Sequence, residues 1–109
     1  MICGDDTAIL DDVAASGAEL YEADSKIDLL QAKRRIGDRL CLIGNLNPVG
    51  SLLHGTAEEV RKEAQACLAV ASHGSGFILG TGCFVAWDTP QENLQAMIRA
   101  VDSRDGMLP

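Results

Sequence analysis

Short apolar runs alternate with amphipathic helical patterns along these 109 residues, and this alternation restricts the fold more than any other feature. The apolar runs predict strands at 19–24 ("ELYEAD"), 40–48 ("LCLIGNLNP") and 77–83 ("FILGTGC"), and "MICGDD" at 1–6 is predicted to hold the end of a further strand. Strands that alternate with helices pair in parallel through right-handed crossovers. The sequence therefore predicts an α/β fold, in which parallel βα repeats form half of a (β/α)8 barrel.

The predicted helices have apolar residues at helical spacing. Thr56 and Glu59 form a capping box at the start of the third helix. Thr89 and Glu92 form another before the fourth, with Pro90 at the first helical position. The apolar stripes, in chain order, are Ile9, Leu10 and Val13; Leu29, Ala32 and Ile36; Val60, Ala64, Cys67, Leu68 and Ala71; and Leu94, Met97, Ile98 and Val101. We expect these stripes to pack against the sheet.

Half a barrel leaves the inner face of its sheet and two strand edges uncovered, which favours aggregation unless something covers them. The chain is therefore expected to pair with a second copy, to rearrange, or to be a piece of a longer protein. A homodimer is the natural prediction, because two halves would bury their inner faces together.

The balance of charge excludes some classes of partner. Sixteen acidic and nine basic residues give a formal net charge of −7, whereas nucleic-acid binding needs clustered Lys and Arg. The basic cluster Lys33 to Arg35 is interpreted as the solvated face of a helix. No apolar run reaches the roughly 20 residues of a membrane-spanning helix, and Asp5 and Asp6 do not suit a signal peptide. We expect a cytoplasmic protein that binds neither nucleic acid nor membrane.

Four cysteines occur without a CxxC pair, so a disulfide framework is not expected in a reducing compartment. Cys41 and Cys67 fall on apolar patterns and are predicted to be small buried hydrophobes. Cys3 and Cys83 come at predicted strand ends, where parallel α/β sheets place their ligand sites. From spacing alone, two ordinary buried thiols remain the simpler interpretation of this pair.

Three long stretches resemble the C-terminal half of the uroporphyrinogen decarboxylase superfamily. They are "MICGDDTAILDDVAASGAELYEAD", "LCLIGNLNPVGSLLHGTAEEV" and "GFILGTGCFVAWDTPQENLQAMIRAV". That superfamily includes uroporphyrinogen decarboxylases and the cobalamin-dependent methylcobamide:coenzyme M methyltransferases. The resemblance implies a TIM barrel, of which residues 1–109 would be a C-terminal half-barrel segment.

The resemblance also implies a metal site. In the methyltransferase branch, zinc is held by a His-x-Cys pair and by a second cysteine about eighty residues later. Cys3 and Cys83 match the two cysteines, whereas Met1 stands where the histidine is expected. The third ligand would come from a longer parent, from an N-terminal amine or from His54. In the decarboxylase branch the position of Cys83 is typically histidine, so Cys83 favours the methyltransferase branch.

Other polar residues lie at the predicted strand ends. Asp24 is a candidate catalytic acid that the resemblance places near the substrate cavity, or else an acid at the N-terminus of the next helix. Asn45 and Asn47 match a Gly-Asn-x-Asp/Ser-Pro pattern and are candidate substrate-binding residues, or else satisfy the backbone in a turn. Phe84 and Trp87 would either wall the site or pack within their own loop.

The resemblance implies an enzyme that moves a methyl group from a methylcorrinoid to a thiol, with a corrinoid protein or a small-molecule thiol as partner. His54 is placed in a solvated loop, and His73 at the opposite end of the sheet, with no catalytic role. Two alternatives remain open: a uroporphyrinogen decarboxylase segment, and a non-catalytic oligomeric half barrel. The decarboxylase's N-terminal Arg and Asp substrate contacts are not among these residues, so the isolated chain is expected to be catalytically incomplete.

Overall fold

The computed structural model describes residues 2–73 and 76–106, with side chains described as far as Asp102. After a 3-10 turn at Thr7–Ile9, the elements are α1 (Leu10–Ala15), β1 (Leu20–Glu22), α2 (Leu29–Ile36), β2 (Cys41–Leu46), α3 (Ser51–His54), α4 (Ala57–Ala71), β3 (Phe77–Thr81) and α5 (Gln91–Gly106). Helices therefore separate the strands along the described chain as predicted, and the one-turn helix α3 is an addition before α4.

The three strands form one parallel sheet in the order β1-β2-β3. Each strand lies within its predicted range, which confirms the α/β class and the parallel pairing. The further strand end predicted at 1–6 is wrong for residues 2–6, which form no strand, and Met1 lies outside the described residues. A positive φ of 102° turns the backbone at Gly4, and its N–H donates to the Asp24 carboxylate instead of to a neighbouring strand.

The core lies between one face of the sheet and the helices. All the residues of the predicted stripes on α2 and α4 are buried, and Leu42 and Leu46 of β2 meet them from the sheet. On α5, Leu94, Met97 and Val101 pack against this core. Ile98 was predicted to join them but is 59% exposed, because it lies on the outer side of the helix.

The two predicted capping boxes have different outcomes. At α4 the Thr56 hydroxyl accepts from the Glu59 N–H at 3.2 Å, and the Glu59 carboxylate accepts from the Thr56 N–H at 3.1 Å. The box predicted with Thr89 is wrong, because the Thr89 hydroxyl donates to the Ala86 carbonyl and α5 begins at Gln91. The Thr89 hydroxyl thus closes a tight turn before α5 instead of capping the helix.

The opposite face of the sheet is open in the part of the chain that the structure describes. Residues paired across parallel strands point to the same side, and this face holds Leu20 and Cys41, then Glu22, Ile43 and Ile78. Leu20 is 56% and Ile78 is 51% exposed. Cys41, predicted to be buried, is only half-buried because it lies on this face. None of the described helices combines the length and the apolar character needed to cross a bilayer.

Candidate metal centre

The two cysteines singled out by the sequence lie side by side. The sulfur atoms of Cys3 and Cys83, 80 residues apart in the chain, are 2.8 Å from each other. Cys3 precedes α1 in an exposed segment, and the half-buried Cys83 follows β3 after one intervening residue. The expectation that the fold brings these two thiols together at one edge of the sheet is confirmed.

Close packing of Gly82 brings Cys83 to this edge. The Gly82 N–H donates to the Leu46 carbonyl at 2.7 Å, which extends the pairing of β3 with β2 beyond the strand itself. A Cβ on Gly82 would lie 2.2 Å from the backbone nitrogen of Ser25. The end of β3 therefore lies directly against the loop between β1 and α2, and glycine is required for that approach.

The same loop supplies a buried carboxylate. Asp24 is only 4% exposed, and its two oxygens accept backbone hydrogen bonds from Gly4 at 2.9 Å and Lys26 at 2.8 Å. Candidate ligand atoms of Cys3, Asp24 and Cys83 all lie within 4.8 Å of one another. The helix that follows is capped by Asp28, so Asp24 does not occupy the N-terminal position proposed as its alternative role. The sequence did not predict that Asp24 joins the two thiols.

Hydrogen bonding and negative charge set the electrostatics of the cluster. The contact with Cys83 is the largest cause that raises the pKa of the Cys3 thiol, followed by desolvation and by the negative charge of Cys83 and Asp24. Nearby, the Tyr21 hydroxyl donates to the buried carboxylate of Asp6 at 2.8 Å. Burial, and then this hydrogen bond, raise the pKa of Tyr21. Without a cation, the raised pKa of Cys3 favours the protonated form of its thiol.

Two thiols and a carboxylate are a donor set that suits Zn²⁺, which takes Cys sulfur and Asp oxygen. Zn–S bonds of about 2.3 Å at a tetrahedral angle would place two thiolates about 3.8 Å apart. The observed contact of 2.8 Å would therefore have to open. Cys3 lies in an exposed segment, so its side chain has room to rotate. With that adjustment the residues fit zinc, and the methionine that stands where the histidine was expected lies outside the described residues.

Asn45 and Asn47 use their side chains within the chain. The Asn45 amide donates to the carbonyls of Asp24 at 3.1 Å and Ile27 at 2.8 Å. The Asn47 side-chain oxygen accepts from the N–H groups of Val49 and Gly50, as in a turn. These contacts suit the structural alternative, and a substrate contact by either residue stays a prediction. Asn45 nevertheless acts on the site, because it fixes the loop that holds Asp24.

Four further residues that the sequence analysis named have different outcomes. His54, predicted in a loop, is the last residue of the one-turn helix α3 and is exposed. Phe84 and Trp87 are 84% and 96% exposed, so packing within their own loop is wrong. His73 is exposed at the end of the sheet where β3 begins, as predicted.

A cavity of about 410 Å³ opens beside the cluster on the open face of the sheet. It is lined by Glu22, Ile43, Gly80, Thr81, Cys83, Phe84 and Val85. A second cavity, of about 500 Å³, adjoins it at Glu22 and Ile43 and extends along the edge of β1. Glu22 was not singled out from the sequence, and it is an exposed residue of β1 on the open face of the sheet.

The chain is similar to two kinds of enzyme. The sequence profile of the uroporphyrinogen decarboxylase (URO-D) family matches residues 1–104. Over 102 residues the chain is 39% identical to the "Methylcobamide:CoM methyltransferase MtaA" of Methanosarcina barkeri, covering 93% of this chain and 29% of that protein. Over 97 residues it is 34% identical to the uroporphyrinogen decarboxylase of Serratia proteamaculans, covering 89% and 27%.

A solved structure also matches. A methyltransferase from Methanosarcina mazei superposes with a TM-score of 0.86 at 33% sequence identity, covering 95% of this chain and 30% of that one. This chain thus spans less than a third of the length of these relatives. The match confirms the fold of parallel βα repeats within a larger barrel.

Proposed function

Because this chain belongs to the uroporphyrinogen decarboxylase family, we propose that it provides the metal-binding part of a methyltransferase that moves a methyl group from a methylcorrinoid to a thiol. The observation that carries the proposal is the cluster of Cys3, Asp24 and Cys83. The similarity to a methylcobamide:CoM methyltransferase supports it. Decarboxylation, the activity of the other relatives, is less favoured because a histidine, not a cysteine, is expected at position 83 in that branch.

In this proposal Cys3 and Cys83 hold a zinc ion together with Asp24, which takes the place expected for histidine. When bound, zinc acts as a Lewis acid that keeps a substrate thiol deprotonated, and therefore nucleophilic, at neutral pH. Three protein ligands leave the fourth tetrahedral position for that thiol. The backbone N–H groups of Gly4 and Lys26 hold the Asp24 carboxylate in a fixed orientation, and such outer contacts tune the affinity of metal sites.

The remaining parts of the proposal concern what surrounds this site. Residues 1–109 would form a C-terminal segment of the barrel, and a corrinoid protein in the cytoplasm would donate the methyl group. Asn45 and Asn47 would act on the substrate site indirectly, through the loops that their side chains fix. The isolated chain would bind the metal but lack the rest of the catalytic apparatus.

Cobalt(II) tests the metal site, because its thiolate complexes absorb visible and near-ultraviolet light. We expect one Co²⁺ per chain, with a sulfur-to-cobalt charge-transfer band that zinc removes by displacement. Cys3→Ser and Cys83→Ser should each remove most of this band. Cys41→Ser is the matched control, since that thiol lies on the same sheet but outside the cluster. The proposal fails if the chain binds no cobalt, or if all three variants behave alike.

For the isolated chain, a second copy is proposed to cover the sheet face that the rest of a longer barrel would otherwise cover. Its support is the exposure of Leu20 and Ile78, which no described element of the chain covers. Light scattering after size exclusion should give a dimer that Ile78→Glu converts to a monomer. Ile98→Glu is the control, because Ile98 is similarly exposed on the outer side of α5. A monomeric wild-type chain would contradict this part of the proposal.

A further inference from the structure

A buried pair of polar side chains lies next to the metal cluster without belonging to it. The Tyr21 hydroxyl donates to the Asp6 carboxylate at 2.8 Å, and the two residues are 4% and 8% exposed. Tyr21 pairs with the buried Leu42 in the sheet register, so it lies on the helix-covered face and not on the open face. The described chain therefore buries this pair without help from a second copy or from further barrel strands.

The Asp6 carboxylate is not used by the turn in which it lies. Asp6 occupies the N-cap position of the 3-10 turn, but its side chain makes no capping hydrogen bond. The neighbouring Asp5 carboxylate accepts from the Thr7 N–H at 3.1 Å instead. Because a buried carboxylate without a hydrogen bond is costly, the contact with Tyr21, 15 residues later in the chain, determines where Asp6 lies.

β1 and the loop after it hold the segment that carries Cys3 at two points. Tyr21 holds the side chain of Asp6. Asp24, three residues after Tyr21, accepts from the Gly4 N–H at 2.9 Å. Cys3 directly precedes Gly4, and only two residues separate it from Asp6. So short a connection has little slack, and a displacement of Asp6 is therefore passed on to the backbone of Cys3.

We propose that Tyr21 and Asp6 are positioning residues, which keep the Cys3 sulfur beside Cys83 and Asp24 before a metal binds. The role of the pair at the metal rests on the proposed function. Ligands that outer hydrogen bonds already hold in place need less reordering when the metal arrives, and the affinity is correspondingly higher. Loss of the pair should affect Cys3 alone, because Cys83 is held separately at the end of β3.

A metal-free measurement tests how well the two sulfurs are positioned. In glutathione buffers, one oxidised glutathione takes two electrons and two protons from the thiols of Cys3 and Cys83. The products are one disulfide in the chain and two reduced glutathione molecules, and mass spectrometry identifies the cysteines that are joined. The equilibrium constant of this exchange is the effective concentration of one thiol at the other. We expect Tyr21→Phe to lower it by about tenfold, the lower limit of what a hydrogen bond to a charged group contributes.

Further variants distinguish positioning from a general loss of stability. Asp6→Asn keeps an acceptor for the Tyr21 hydroxyl and should stay near the wild-type value, whereas Asp6→Ala should act like Tyr21→Phe. Asn93→Ala is the matched control, because it removes buried hydrogen bonds to Leu52 and Gly55, outside the cluster. It should leave the effective concentration unchanged, and circular dichroism checks that each variant folds. The proposal is overturned if Tyr21→Phe has no effect, if Asn93→Ala has the same effect, or if Asp6→Asn is no better than Asp6→Ala.

Cobalt binding then separates this inference from the proposed function. Tyr21→Phe should lower the cobalt affinity, measured by chelator competition, by about tenfold, and Asn93→Ala should leave it unchanged. If the wild-type chain binds no cobalt, the proposed function fails, while the glutathione equilibrium still judges Tyr21. If Tyr21→Phe binds cobalt as tightly as the wild-type chain does, the role of the pair at the metal is wrong and the metal site stands.

Discussion

Replacing Gly82 with alanine tests how the end of β3 is held against the loop that contains Asp24. The added Cβ would lie 2.2 Å from the nitrogen, 2.7 Å from the Cα and 2.7 Å from the Cβ of Ser25. The two nearest atoms are backbone, so the clash is relieved only if the strand end or the loop shifts. Gly80→Ala is the matched control two residues earlier, because its Cβ would meet the Cγ2 methyl of Ile43 at 3.2 Å and would lie 3.9 Å from the nearest backbone atom, the nitrogen of Gly44.

The structure gives the size of the effect. Overpacking a close-packed site costs about 1–3 kcal/mol, and a clash with backbone belongs at the upper end. Replacing glycine by alanine also stiffens the unfolded chain, which stabilises by about 0.4–1 kcal/mol at either position. We therefore expect Gly82→Ala to lower the free energy of unfolding by about 2 kcal/mol, and Gly80→Ala to change it by less than about 1 kcal/mol.

Urea unfolding followed by far-ultraviolet circular dichroism measures both variants. Tryptophan fluorescence would be a poor probe, because Trp87 is 96% exposed in the folded chain. Gly82→Ala should also weaken cobalt binding, since the shift moves Cys83 away from Cys3 and Asp24. If Gly82→Ala is as stable as Gly80→Ala and binds cobalt normally, the packing of β3 on this loop is not what positions the thiol.

Three other changes have expected outcomes. Asn93→Ala should lower the free energy of unfolding, measured by urea unfolding, by about 2–4 kcal/mol, because the buried amide donates to the carbonyls of Leu52 and Gly55. A loss below about 1 kcal/mol would contradict that role. Burial raises the pKa of the Cys67 thiol above its unfolded value near 9.0. The contribution of the protonated thiol to the free energy of unfolding is therefore complete below that value, and it is lost as pH rises through the higher folded pKa. Cys67→Ala should flatten that alkaline decline in the free energy of unfolding, and an unchanged slope would refute it. Asp24→Asn should weaken cobalt affinity, measured by chelator competition, by more than roughly 100-fold, since even outer contacts cost 10–100-fold; an unchanged affinity would exclude Asp24 as a ligand.

The sequence predicted those parts of the fold that depend on local pattern. The apolar stripe of α4 and the capping box of Thr56 and Glu59 follow from helical spacing and from groups within one turn, and both were found. The parallel sheet followed from the alternation of strands and helices. Ile98 and Thr89 show the limit of such patterns, because the position of α5 against the core and the turn before it depend on contacts from elsewhere in the chain.

The candidate site was predicted in part. The meeting of Cys3 and Cys83 was expected from the resemblance and is present in the structure. The position of Asp24 beside them was not, since it depends on backbone hydrogen bonds from Gly4 and Lys26 that no spacing in the sequence reveals. Glu22 was missed for a similar reason, because the sequence shows a charge at a strand end but not the cavity beside it, which residues from all three strands line.

X-ray absorption at the zinc edge, on the chain loaded with one Zn²⁺, tests the central claim most directly. The proposed ligands predict two sulfur neighbours at about 2.3 Å and oxygen neighbours near 2.0–2.2 Å from Asp24 and solvent. Cys83→Ser should reduce the sulfur count to one, and Cys41→Ser should leave it at two. A zinc shell that contains only nitrogen and oxygen, or a sulfur count that Cys83→Ser does not lower, would contradict the claim that Cys3, Asp24 and Cys83 form one metal site.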